Sequence, residues 1–125
     1  CNNMIDGAYF IGTVGIISSA KRDALPMIAD ERVCMEGIET AVIFCIVNGG
    51  LDVSVRSRNT SLDVNAFCQK VFGKDFAGGK LGVGGAFVPM GILGYENLPN
   101  ELVSDLWGIQ KKALFHKIMH VALGN

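Results

Sequence analysis

Residues 38–47 form a nearly unbroken apolar run rich in β-branched side chains, and Asn48-Gly49-Gly50 ends it. Beyond that turn the pattern alternates strictly, with Leu51, Val53 and Val55 set against Asp52, Ser54 and Arg56. An apolar run of that length needs cover on both faces, whereas the alternating run needs it on one. An Asn-Gly turn between two such runs predicts a β-hairpin. This pairing constrains the chain more than any other feature, because one face of the hairpin has to be roofed by other elements.

Those elements are legible on either side. Residues 8–17, Ala-Tyr-Phe-Ile-Gly-Thr-Val-Gly-Ile-Ile, read as a buried strand interrupted by glycines. Ser19 or Asp23 can cap a helix with Pro26 in its first turn, Leu25, Ile28, Ala29 and Arg32 fall at helical spacing, and Gly37 predicts the stop. Val64, Phe67, Cys68 and Val71 mark one face of a second helix ended by Gly73. Six glycines then crowd residues 73–85, which reads as a loop that lets a backbone approach a ligand closely. Residues 86–90 resume as a short strand, with Pro89 at an edge or strand end. A final helix is expected over residues 100–124, with Leu102, Leu106, Ile109 and Ala113 on one stripe and Leu114, Ile118 and Val121 continuing it. The order predicts a single α/β domain spanning residues 1–125, a mixed sheet of about four or five strands with helices packed on it.

Composition supports a cored domain and narrows its partners. Half of the 125 residues are apolar, enough to bury roughly two thirds of the unfolded surface at this length. Eleven Lys and Arg against twelve Asp and Glu exclude a generally basic nucleic-acid coat. No apolar run reaches the roughly 18–20 residues of a membrane-spanning helix, and the start lacks a signal-peptide pattern, so the reading is a cytoplasmic protein with no membrane partner. A first residue of Cys rather than Met suggests an excerpt from a longer chain. Cys1, Cys34, Cys45 and Cys68 show no CxxC spacing, and three of them sit inside apolar segments, where a buried free thiol is the expected reading.

Any anion site must therefore rest on a local cluster. Between residues 51 and 85, Arg56, Arg58, Lys70, Lys74 and Lys80 outweigh Asp52, Asp63 and Asp75. Arg56 and Arg58 stand where the alternating strand runs out, with the Ser57 hydroxyl between them, and an arginine fork matches phosphate oxygens. Gly78, Gly79, Lys80, Gly84 and Gly85 follow as a second half of that candidate site. The competing reading makes both arginines solvated strand-end charges and the glycines mere turns. The Walker spacing GxxxxGK[ST] is absent, and no dinucleotide fingerprint follows the first strand. His116 and His120 are four apart on the last helix, a spacing that suits a metal, but no third ligand accompanies them in that turn and no metal site is assigned.

Several segments together resemble a known family. These are Lys21-Arg22-Asp23-Ala24-Leu25-Pro26 through Ala29-Asp30, residues 36–43 (Glu-Gly-Ile-Glu-Thr-Ala-Val-Ile), and Val53-Ser54-Val55-Arg56-Ser57. Leu62-Asp63-Val64-Asn65-Ala66-Phe67, Phe76-Ala77-Gly78-Gly79 and Gly84-Gly85-Ala86-Phe87-Val88-Pro89-Met90-Gly91 complete the series. In order and spacing, over roughly residues 8–95, they are similar to the DHH-associated C-terminal domain of the DHH phosphoesterases, a superfamily of RecJ-type exonucleases, oligoribonucleases and pyrophosphatases. The resemblance implies a domain that closes over a metal-bearing DHH domain and holds the substrate's phosphates and bases. It assigns Arg56 to a substrate phosphate. It also implies two divalent metals, manganese or magnesium, in a DHH domain whose Asp-His-His signature is absent here, so this segment alone is expected to hydrolyse nothing. The implied partners are a single-stranded or short oligonucleotide, or another phosphate ester, and the catalytic domain itself. One departure stands out: the family's loop reads Gly-Gly-Gly-His followed by Ala-Ala-Gly, whereas this chain has Gly78-Gly79-Lys80-Leu81 and then Gly84-Gly85-Ala86. Leu81 cannot donate to a phosphate, which leaves Lys80 as the loop's cation. The alternative expectation is a structural domain that has lost ligand binding, with the final helix as a homodimer face.

Overall fold

A computed structural model describes residues 2–124. Six strands form one sheet: β1 (Asn3–Asp6), β2 (Tyr9–Ile16), β3 (Thr40–Val47), β4 (Gly50–Ser57), β5 (Ala77–Lys80) and β6 (Val83–Pro89). The helices are α1 (Ala24–Val33), α2 (Val64–Phe72) and α3 (Asn100–Ala122). The strand order is β1-β2-β3-β4-β6-β5. Only β2 and β3 run parallel, joined through α1, and every other neighbouring pair is antiparallel.

The expected hairpin forms the centre. β3 and β4 pair from Thr40–Ser57 to Val47–Gly50, and Asn48 and Gly49 both take positive φ, 52° and 72°. That is a two-residue turn of the type whose twist matches the strands it joins. Every residue of β3 is buried because the strand is covered twice. Val42, Phe44 and Ile46 face α2 and α3 with Val53, Val55, Phe67 and Ile118. Ala41, Ile43, Cys45 and Val47 face α1 through Leu25, Ala29 and Val33.

The sheet has six strands rather than four or five. The glycine-rich segment is not a loop: Ala77–Lys80 and Val83–Pro89 pair as a hairpin turning at Leu81-Gly82. Glycine has low strand propensity, and here α2 is what selects it. A Cβ on Gly84 would lie 2.6 Å from Val64 Cγ1 and 2.7 Å from Cys68 Sγ, and one on Gly79 would lie 2.6 Å from the Val83 carbonyl oxygen. These two positions let a helix seat directly on strand backbone, which is a packing role.

The α3 stripe also differs from expectation. Leu102 and Ile109 are exposed, and so is Ala113. Ile118 and Met119 are the buried residues of the helix, and Trp107, Leu114, Phe115 and Val121 pack against the same core. Phe44 of β3 anchors this contact, its ring edge-on to Trp107 at 6.2 Å and to Phe115 at 5.5 Å.

Of the cysteines, Cys45 and Cys68 are buried free thiols and Cys34 is exposed, because α1 ends at Val33 and Cys34 lies past its last turn. Cys1 lies outside the described residues. Burial pushes both interior thiols up to about 11, so at pH 8 the thiolate fraction is on the order of 0.1 %. Iodoacetamide at pH 8 is therefore expected to label Cys34 and spare Cys45 and Cys68 until urea opens the core, as peptide mapping by mass spectrometry will report. Fast labelling of Cys45 in the native protein would contradict this packing.

Candidate ligand-binding face

The sheet register brings the candidate residues to one end of one face. Arg56 pairs with Val83 across β4 and β6, and Val83 pairs with Lys80 across β6 and β5. Residues directly opposite in an antiparallel pair share a face, so Arg56, Val83 and Lys80 form a row on the α1 side, with Arg56 and Lys80 about 10 Å apart at two strand spacings. The next row is Ser54, Gly85 and Gly78, and the one after it opens with Asp52 and Phe87. Helix α1 packs over β3 and β4. Beyond it, this face of β6 and β5 carries exposed Val83 and Lys80 above half-buried Gly85 and Gly78. The result is a shallow floor with almost no side chains, bordered by cations.

The arginines are less free than the sequence suggests. Arg56 is 18 % exposed and its Nε donates to Asp30 Oδ1 of α1 at 2.8 Å, while Nη1 donates to the Val55 carbonyl at 2.9 Å. Arg58 turns away from the face: its Nε donates to the Val33 carbonyl at 2.9 Å and Nη2 to the Ile38 carbonyl, tying down the connection from α1 to β3. Ser57 Oγ lies 2.9 Å from Thr40 Oγ1 and accepts from the Asn59 N–H. Ser57 and Arg58 are thus committed to closing the fold at the end of β4. The Ser57 backbone N–H also donates to the Gly82 carbonyl at 2.9 Å, which fixes the glycine hairpin beside Arg56.

Lys80 stands at the hairpin tip, exposed, and its side chain forms no ion pair or hydrogen bond among the described residues. It also borders a cavity of about 320 Å³ with Thr60, Ser61, Asp63 and Asn65 at the start of α2. Asp63 caps that helix by accepting from the Ala66 N–H at 3.0 Å, and Asn65 Oδ1 accepts from the Gly79 N–H at 3.0 Å. Leu81 is 80 % exposed beside Lys80.

Two residues absent from the sequence-based site belong to this face. Arg22 bonds Asp52 at 2.6 Å, and its guanidinium stacks over the Phe87 ring at 5.2 Å. Its side chain is 45 % exposed, so the guanidinium plane is presented to solvent on an aromatic support. The signal in the sequence was Phe87, an aromatic placed between glycines and a proline on the polar side of its strand. Its partner, in a loop far upstream, is visible only in three dimensions. Arg22, Arg56 and Lys80 are offset by Asp30 and Asp52, which leaves the face modestly cationic.

Among the described residues, no group of three or more His, Cys, Asp or Glu is placed to share a metal ion, and no helix is long and apolar enough to cross a membrane.

Comparisons with known proteins bear on the fold. No protein-family model matches the chain. It is 33 % identical over 121 residues to an uncharacterized protein of Methanocaldococcus jannaschii, MJ1633, matching 94 % of this chain and 23 % of that protein. The chain therefore spans about a quarter of the length of this relative. The C-Ala domain from Aquifex aeolicus alanyl-tRNA synthetase superimposes with a TM-score of 0.53 at 13 % identity, over 86 % of this chain and 98 % of the domain. An exopolyphosphatase-related protein from Bacteroides fragilis aligns over 97 % of this chain and 33 % of its own, with a TM-score of 0.49 and 10 % identity. The chain has the fold of the C-Ala domain.

Proposed function

We propose that this chain is a substrate-binding domain of a metal-dependent DHH-type phosphoesterase, and that it takes a single-stranded or short oligonucleotide on the open face of β6 and β5. The observation that carries the reading is the alignment of Arg56, Lys80 and the Phe87-supported Arg22 around a floor of Gly78 and Gly85. A floor poor in side chains admits a sugar-phosphate backbone closely. Lys80 supplies a mobile point charge for phosphate, and the Arg22 guanidinium offers a plane on which a base can stack. Arg56 contributes whatever charge its pairing with Asp30 leaves, and so is a secondary contact. Catalysis belongs elsewhere in this reading: the two manganese or magnesium ions that activate water and stabilise the leaving oxygen sit in a DHH domain of the parent protein, acting in the cytoplasm. The structural alternative is favoured at Ser57 and Arg58, whose polar groups serve the fold.

The test is a titration of a fluorescent short oligonucleotide against the domain. Binding is expected in the range of roughly 1 µM to 0.1 mM and to fall as salt rises. Lys80→Ala should lower the slope of log affinity against log salt by about one phosphate contact while leaving the melting temperature unchanged. Arg22→Ala should weaken binding with less effect on that slope. Affinity that ignores both substitutions, or no binding at low salt, would overturn the assignment of this face.

A further inference from the structure

A second group of basic side chains lies on the opposite side of the sheet, between α2 and α3. There a cavity of about 370 Å³ is lined by Lys70, Val71, His116, Lys117, His120 and Val121. The two imidazoles stack nearly parallel, with centroids 6.5 Å apart and planes 23° apart. All four basic side chains are exposed, and no carboxylate lines the cavity. In a chain of net charge −1, this is a concentration of basic side chains and N–H donors for which no ion-pair partner is found among the described residues.

The two stacked rings repel each other once both are protonated, and the two ammonium groups repel them further. What relieves such a group is a compact ligand with several negative charges. A metal ion suits it poorly, because a cation held by the two histidines would sit beside Lys70 and Lys117, with no carboxylate to compensate. We infer that this cavity is a binding site for a small, multiply charged phosphoanion, held electrostatically by Lys70 and Lys117 and hydrogen-bonded by His116 and His120. The site is separate from the β5 and β6 face and does not depend on the reading of that face. Linkage follows from the charges: the anion favours imidazolium, so binding takes up protons and strengthens as pH falls.

The experiment follows the imidazole ring protons of the intact chain by NMR over pH 5 to 8, with and without inorganic tripolyphosphate, against sodium chloride of equal ionic strength. Tripolyphosphate is expected to raise the midpoints of His116 and His120 by about half a unit or more, and the Lys70→Met/Lys117→Met double variant should abolish most of that shift. Inorganic phosphate and sulfate, with fewer charges, should act in the same direction more weakly. Lys80→Ala should leave the shift untouched, which separates this site from the oligonucleotide face. Midpoints that move no more than in matched sodium chloride, or a shift that survives the double lysine variant, would overturn the proposal. All four positions are exposed, and unchanged melting of the variants will show that they fold.

Discussion

Phe44→Ala is expected to cost the domain about 3–5 kcal/mol, a large part of the roughly 5–15 kcal/mol that holds a domain of this kind together. Phe44 is fully buried in the central strand, and truncation leaves a void on the side that α3 covers. It also removes two edge-to-face contacts, with Trp107 and Phe115, each worth about 0.5–1.5 kcal/mol beyond the area they bury. The chain has one tryptophan, and it sits at this joint, so its emission reports the loss directly. Urea unfolding followed by Trp107 fluorescence should show the midpoint falling sharply, with emission already red-shifted before the transition. A midpoint within experimental error of the parent would mean that Phe44 is not what fastens α3 to the sheet.

Gly84→Val should be nearly as damaging for the opposite reason. The first added carbon would meet Val64 Cγ1 at 2.6 Å and Cys68 Sγ at 2.7 Å, well inside normal contact, and two more methyls follow it. Overpacking of this kind costs about 1–3 kcal/mol or more, and α2 must lift from β6 to relieve it. The melting temperature is expected to fall on the order of 10 °C. Combining the change with Val64→Ala, which removes the nearer obstacle, should recover part of the loss. A Gly84→Val protein that melts like the parent would show that the helix does not rest on this strand. The same geometry sets Gly79→Val aside as a probe of ligand binding, because its Cβ would strike the Val83 carbonyl and break the hairpin before any ligand is involved.

Much of this architecture was legible because local chemistry and tertiary demand agreed. The β3–β4 hairpin announced itself by a run needing two covers beside a run needing one, and the Asn-Gly turn specified how they join. α2 was legible from Val64, Phe67 and Cys68 and from the glycine that ends it. β5 was hidden because Ala77, Gly78, Gly79 and Lys80 carry no strand-forming side chains, and their pairing is dictated by the nearness of α2. β1 was hidden for want of length, with only Met4 and Ile5 to mark it. On α3, apolar residues occupy more than one side, so periodicity alone selected Leu102 and Ile109, whereas the contact with Phe44 selects Trp107 and Phe115. The candidate site divided along the same line. The residues suggested grouping Arg56 with the glycine-rich segment, read as a loop, but the hairpin that sets them side by side, the ion pair with Asp30 of α1 and the placement of Arg22 over Phe87 are products of the fold.

The two outermost strands, β1 and β5, span four residues each. A free sheet border is where chains of one kind add to one another without limit, and long, flat, apolar borders invite it. These borders are too brief for that, and β5 carries two glycines with Lys80 at its end, which a neighbouring strand would meet as weak pairing and unscreened charge. The domain can therefore keep an open, side-chain-poor sheet surface at high concentration without nucleating fibrils. Pairing at these borders is thereby disfavoured, which leaves helices and sheet faces as the surfaces through which copies could meet.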